Sequence, residues 1–236
     1  MKKIGIIAGL GPESTVDYYK ELISPFNSEL KELAYPEILV YSVNINELMC
    51  FVEAANWEAL TEWLLQKINA IHKAGADFAA IASNTPHIVF DQLKKRSPIP
   101  LLSIVEETVK NAQQQGINTI GLLGTKLTMA SDFFKVPFEN ENITVITPSE
   151  EEQSYIHHKL FSEIELGIFE DSTRDGLLKI VERMKDENQI EAIILGCTEL
   201  PLILTEEKFG LNFLNTTKIH CRSILNYYLN EKRSNE

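Results

Sequence analysis

Short, continuous apolar runs recur along the chain, separated by longer segments of helical periodicity. The runs are Ile4–Ala8, Ile38–Val43, Phe78–Ala82, Leu101–Ile104, Thr119–Leu123, Ile143–Ile146, Ala192–Leu195 and Leu211–Leu214. They are rich in Ile, Leu and Val and lack polar alternation, the pattern of strands buried on both faces. Between them, the segment from Trp57 to Ala74 carries Trp57, Leu60, Leu64, Ile68 and Ile71 at spacings of three and four, the apolar stripe of a surface helix. Gly75 stands where a C-terminal cap belongs, and Ser14 followed by Asp17 suggests the start of the first helix. Alternating strands and helices predict an α/β fold with parallel sheets flanked by helices.

The pattern repeats. "KIGIIAGLGPEST" near the start has a partner in "TIGLLGTKLTMAS" from Thr119, and "GADFAAIASNTPHIV" from Gly75 has one in "QIEAIILGCTELPLI" from Gln189. Ser83 follows Gly5 by 78 positions and Cys197 follows Gly121 by 76. Two similar pseudo-twofold lobes are therefore expected: residues 1–98 with about 209–236, and residues 99–208. The break falls at "KKRSPIPLL", where Pro98 and Pro100 punctuate the chain. Ligands of open α/β sheets bind beyond the carboxyl ends of the strands. A site in a cleft between the lobes would then draw on Gly9–Gly11, Ser83–Thr85, Gly124–Thr125 and Cys197–Glu199.

Composition narrows the function. A net charge of −12 over 236 residues, with no run of Lys and Arg, argues against nucleic-acid binding, where phosphate contacts dominate affinity. The opening "MKKIGIIAGLGPEST" has a short apolar stretch, no A-x-A site and an interrupting Pro12, so it reads as a strand rather than a signal peptide. No segment approaches the ~20 apolar residues of a membrane span. Cys50, Cys197 and Cys221 are sparse and lack metal-ligand spacing, which points to free thiols in a reducing cytoplasm.

Four motifs carry candidate chemistry. In "GLGPEST", Gly9, Leu10 and Gly11 form a loop whose amides suit a carboxylate. Ser14 stands where a dinucleotide fingerprint needs glycine or alanine, and Pro12 lacks an amide donor. In "SNTPH", Asn84 and Thr85 either hold a small ligand or cap the following helix, and His87 is either a general base or a loop anchor. In "GCTEL", Cys197 is either a buried structural thiol or a reactive one whose pKa falls at a helix N-terminus. Thr198 and Glu199 either orient a substrate or the thiol's proton, or, for Glu199, simply favour a helix start. His72, His157, His158 and His220 read as helix residues, Cys50 as packing, and "STRDGLLKIVERMKDE" as a solvated amphipathic helix.

Taken together, "IGIIAGLGPEST", "SNTPH", "LLGTKLTM" and "GCTELPLIL" resemble the aspartate/glutamate racemase superfamily, in the family's order and over nearly the whole chain. The resemblance implies two α/β lobes, no pyridoxal phosphate or other cofactor, no metal, an amino-acid substrate and a homodimer. It also implies racemisation by two opposed cysteines, one removing the α-proton and the other returning a proton on the opposite face. Cys197 matches the second of these, and Ser83 stands where the first is expected. Asn84, Thr85 and Thr125 match groups that hold the substrate's α-carboxylate and amine, and Gly9–Gly11 the loop lining the cleft.

The departures shape the expectation. A serine hydroxyl is far less acidic than a thiol, so the symmetric two-thiol mechanism is absent. Basic residues that pair with an aspartate side chain are replaced by Glu47 and Leu48 in one region and Glu165 in another. Acidic groups there would repel a second carboxylate. The expected function is a cofactor-independent amino-acid racemase of broad or non-acidic specificity, with Cys197 as main acid/base. The alternatives are a single-cysteine decarboxylase or cis–trans isomerase of a small carboxylic acid, and an inactive amino-acid-binding homologue.

Overall fold

The computed structural model of the chain describes residues 2–26 and 35–233. Residues 1, 27–34 and 234–236 of the expected first lobe lie outside the described ones. Two compact units emerge, one of Met1–Glu107 with Thr217–Glu236 and one of Thr108–Thr216. Each is built on a four-stranded parallel sheet.

In the first unit the strands are β1 (Ile4–Ala8), β2 (Ile38–Ser42), β3 (Phe78–Ile81) and β4 (Leu101–Leu102), in the order β2-β1-β3-β4. Successive side chains of a strand point to opposite faces, and β1 divides accordingly. Ile7 packs with Leu60, Leu64 and Ile68 of α3 (Trp57–Lys73), while Ile4, Ile6 and Ala8 pack with Tyr18 and Leu22 of α1 (Pro12–Pro25). Ile224 and Tyr228 of α11 (Thr216–Arg233) join the second cluster. On the α3 side lie α2 (Ile45–Glu53) and α4 (Phe90–Arg96), whose Leu48 and Leu93 join the first cluster. A Cβ on Gly5 would stand 2.6 Å from Ile71 Cδ1, so a larger residue there would push the Ile71 side chain of α3 aside.

The second unit repeats the plan. Its strands β5 (Thr119–Leu123), β6 (Thr144–Ile146), β7 (Ala192–Leu195) and β8 (Asn212–Asn215) run in the order β6-β5-β7-β8. Its helices are α5 (Ile104–Gln114, which begins in the first unit), α6 (Lys126–Ala130), α7 (Asp132–Glu139), α8 (Glu150–Ser162), α9 (Asp171–Asn188) and α10 (Leu200–Ile203). Ser149 opens α8 with a reciprocal capping box to Glu152, which satisfies two amides that a helix start leaves open.

Four local expectations change. The run Leu101–Ile104 supplies only a two-residue strand, because α5 starts at Ile104. Strand β4 pairs with β3 and β8 with β7, so each falls on the other side of the expected breaks at 98 and 209. The strand β2 is an edge, with Val40 48% and Tyr41 36% exposed; it is not buried on both faces. Helix α1 begins at Pro12 behind Gly11, with no side-chain cap. Ser14 donates back to the Gly11 carbonyl at 3.0 Å instead. Among the described residues, no helix is long and apolar enough to cross a membrane.

Candidate active site

Ser83 and Cys197 occupy the same place in the two repeats, two residues beyond the ends of β3 and β7. Gly196 makes the second of these tips. A Cβ there would meet Leu122 Cδ1 and the Leu123 carbonyl at 2.7 Å, so only glycine lets the chain turn so close to β5. The next three residues are buried, with Cys197 5%, Thr198 3% and Glu199 1% exposed.

Their side chains converge on one another and on a residue 32 positions earlier. Cys197 Sγ lies 3.2 Å from Glu199 Oε2 and 3.7 Å from Glu165 Oε1. The Thr198 hydroxyl donates to Glu199 Oε2 at 2.9 Å. Glu165 sits on a 3-10 turn, Ile164–Leu166, ended by left-handed Gly167 at φ +75°. That turn is anchored by Glu163, which bonds both Lys159 of α8 and Thr173 of α9. The second oxygens, Glu165 Oε2 and Glu199 Oε1, are buried with no hydrogen-bond partner.

Two carboxylates and a thiol in an apolar setting resist ionising together. Burial, then the Glu199 charge, pushes Glu165 up to about 8. Burial, then the Glu199 and Glu165 charges, holds the Cys197 thiol well above its ordinary value. This reverses the expectation of a thiol activated by a helix N-terminus. Helix α10 has only four residues, and a helix end contributes about 0.3–1 kcal/mol, whereas deep burial moves a pKa by up to ~3–5 units. Glu199 is likewise more than a favourable charge at a helix start: it precedes α10 without capping it and faces the thiol.

The tip of the first unit is organised differently. Ser83, 7% exposed, leads through Asn84 into a 3-10 helix, Thr85–Val89. Asn84 is 2% exposed and makes no side-chain capping bond, so the capping role expected for it is not the one it plays. His87 Nε2 accepts the Ile104 amide at 3.3 Å, which leaves Nδ1–H to donate to the Ser83 carbonyl at 2.9 Å. Phe90 stacks on its ring at 4.8 Å. Burial, with the nearby His220, lowers His87 to about 3. It is a neutral anchor for the Ser83 backbone, not a general base. His220, expected to be an ordinary residue of the last helix, is also buried. It bonds Tyr18 Oη at 2.8 Å and the Leu102 carbonyl at 3.1 Å.

The remaining motif residues are largely engaged in holding their own loops. The Gly9 amide donates to Thr15 Oγ1 at 2.9 Å, which leaves fewer loop amides for an anion. Thr125 caps α6 by accepting the Thr128 amide at 3.2 Å. Glu47 accepts from Trp63 Nε1 at 2.7 Å, and Leu48 is buried in the core. Cys50 is exposed rather than packed, and Cys221 is buried. Sequence spacing offered no metal-ligand pattern, yet the fold brings Glu165, Cys197 and Glu199 donor atoms within 4.8 Å of one another. Nothing local in "SEIELG" signals that Glu165 meets the thiol; only the folded path of α8 brings it there.

A family model described as Asp/Glu/Hydantoin racemase matches residues 7–224. A structure of a proposed Asp/Glu racemase from Yersinia pestis is 30% identical, with a TM-score of 0.88 over 97% of this chain and 100% of that one. An aspartate racemase homologue from Pyrococcus horikoshii is 33% identical, with a TM-score of 0.83 over 96% and 99% of the two chains. The broad specificity amino-acid racemase RacX of Bacillus subtilis is 24% identical over 233 residues, spanning 96% of this chain and 98% of RacX.

Proposed function

The chain belongs to the Asp/Glu/hydantoin racemase family, and on that premise we propose that it inverts the α-carbon of amino acids without a cofactor, using Cys197 as its main acid/base. The observation that carries this reading is the buried contact of the Cys197 thiol with Glu199 at 3.2 Å. A thiol with an adjacent proton acceptor is the arrangement of an activated acid/base. Glu199 takes the thiol proton and Thr198 holds that carboxylate in place. The thiolate removes the α-proton, and Ser83, or a water bound to it, supplies a proton to the other face. Backbone amides and hydroxyls of Asn84, Thr85 and the Gly124–Thr125 tip stabilise the enediolate that forms.

Specificity follows from charge. Among the described residues no cation pairs with Glu165 or Glu199 beside Cys197, so a substrate with a second carboxylate finds no counter-charge there and is disfavoured. Neutral and cationic side chains are favoured, in keeping with the broad specificity named for the RacX relative. Chiral chromatography of a panel of L-amino acids incubated with the purified protein tests the reading. Lysine, arginine and neutral amino acids should yield D-enantiomers faster than aspartate, and Cys197→Ala should abolish the reaction. A clear preference for aspartate would overturn the specificity, and no inversion of any amino acid would overturn the racemase.

A further inference from the structure

The proposed role of Cys197 raises a charge problem that the trio around it resolves. A thiolate formed beside two ionised carboxylates would be the third negative charge in one buried cluster. Among the described residues, no ion pair involves Glu165 or Glu199, and each keeps a buried oxygen without a hydrogen-bond partner. The 3-10 turn carrying Glu165 packs on α8 and α10. On α8, Lys159 is paired with Glu163, His158 acts on that same Glu163, and His157 accepts the Lys126 amide at 3.4 Å. The helix α10, Leu-Pro-Leu-Ile, has no charged side chain. The groups that act on Glu165 are therefore Glu199 and Cys197 themselves, and the cluster must be neutralised by protons.

We infer that Glu165 is a further catalytic residue, whose carboxylic acid proton permits Glu199 to accept the Cys197 proton and then supports the thiolate by hydrogen bonding. This inference rests on the proposed role of Cys197. In the resting trio the thiol and Glu165 each hold one proton, and the Glu199 charge that raises both is the one negative charge. Transfer of the thiol proton from Sγ to Glu199 Oε2, across the 3.2 Å contact, leaves a thiolate between two neutral carboxylic acids. The trio carries one negative charge before and after, so no charge is created in the apolar site. The α-proton then moves to sulfur while its electron pair enters the enediolate.

The pH dependence is the reverse of an ordinary thiol's. Glu165 ionises near pH 8, and its charge then opposes the thiolate 3.7 Å away. Thiolate-dependent activity should fall above that pH, about tenfold per unit as the protonated fraction falls. An unassisted thiol would instead gain reactivity over the same range.

The test reads the reactive thiolate and needs no substrate. The rate at which iodoacetamide alkylates Cys197, in the protein with Cys50→Ser, the exposed cysteine, would be followed by mass spectrometry from pH 6 to 10, with the same protein carrying Cys197→Ser as the blank. The expected signal, the Cys197 alkylation rate, declines between pH 7.5 and 9. In Glu165→Gln, which keeps a donor and cannot ionise, it should be retained or rise, giving at least ~10-fold faster alkylation than the parent at pH 9. The alkaline limb of kcat/KM should move upward in the same variant. Glu165→Ala, checked for folding by circular dichroism, should also lose the decline. A parent signal that rises steadily through pH 9, with Glu165→Gln parallel to it, would overturn the inference. An absence of turnover with the predicted titration intact would instead reject only the racemase reading.

Discussion

Two buried neutral histidines should make the first unit sensitive to acid. His87 and His220 are 4% and 0% exposed, and burial lowers them to about 3 and about 4. In the unfolded chain each titrates near 6.5. Their folded values are depressed, so the unfolded state binds more protons at every pH between. The stability they permit is complete above about pH 6.5 and is lost as pH falls toward their folded values. With about 1.36 kcal/mol per unit, the two together remove roughly 4 kcal/mol between pH 6.5 and 4.5. At a urea dependence of about 2 kcal/mol per molar, that lowers the midpoint by about 2 M. Trp57 and Trp63 are the chain's two tryptophans and both lie in the first unit, so their fluorescence reports its unfolding. The pH dependence of the midpoint would be compared with that of His87→Gln/His220→Gln. The double variant, though less stable at pH 7.5, should lose most of the fall between pH 6.5 and 4.5. Equal slopes in the two proteins would refute the assignment of buried neutral histidines.

Other substitutions probe separate links. Ser83→Cys should raise the racemisation rate by at least ~10-fold, since a thiol is a far better proton carrier than a hydroxyl near neutral pH; an unchanged rate would remove Ser83 from the reaction. Glu199→Gln should lower kcat by about 10²–10⁴, the usual scale for losing a general acid or base, while circular dichroism stays native. Undiminished turnover in that variant would exclude Glu199 as the thiol's proton acceptor. Gly9→Ala should destabilise the first unit by about 2 kcal/mol or more, because Gly9 has φ +77° and its Cβ would meet Ser42 Oγ at 2.5 Å and Val43 O at 2.6 Å. A urea midpoint within error of the parent would contradict the close packing of that loop.

Much of the architecture is legible in the chain because it follows from local pattern. The strands Ile4–Ala8, Thr119–Leu123 and Ala192–Leu195 have the bounds their apolar runs predict, and the repeat forecasts two sheets of identical strand order. The exposed edge β2 is not legible, since Ile-Leu-Val-Tyr looks the same on an edge as in a centre. The candidate site divides along the same line. Cys197, Thr198 and Glu199 announce themselves as a polar tip after an apolar strand. Glu165 is separated from them by one helix and a strand, and its raised protonation exists only in the assembled cluster. The reversal of the Cys197 shift has the same origin: the sequence displays a helix start but not the burial and carboxylates that outweigh it.

The central claim, that Cys197 moves the α-proton of an amino acid, is tested most directly by hydrogen exchange in D₂O. Proton NMR would follow the Cα signal of lysine, arginine and a neutral amino acid, from both enantiomers, with the parent protein and with Cys197→Ala. The account predicts Cα deuteration accompanied by inversion in the parent and none in Cys197→Ala. Exchange that persists in Cys197→Ala, or its absence from the parent with every amino acid, would contradict it.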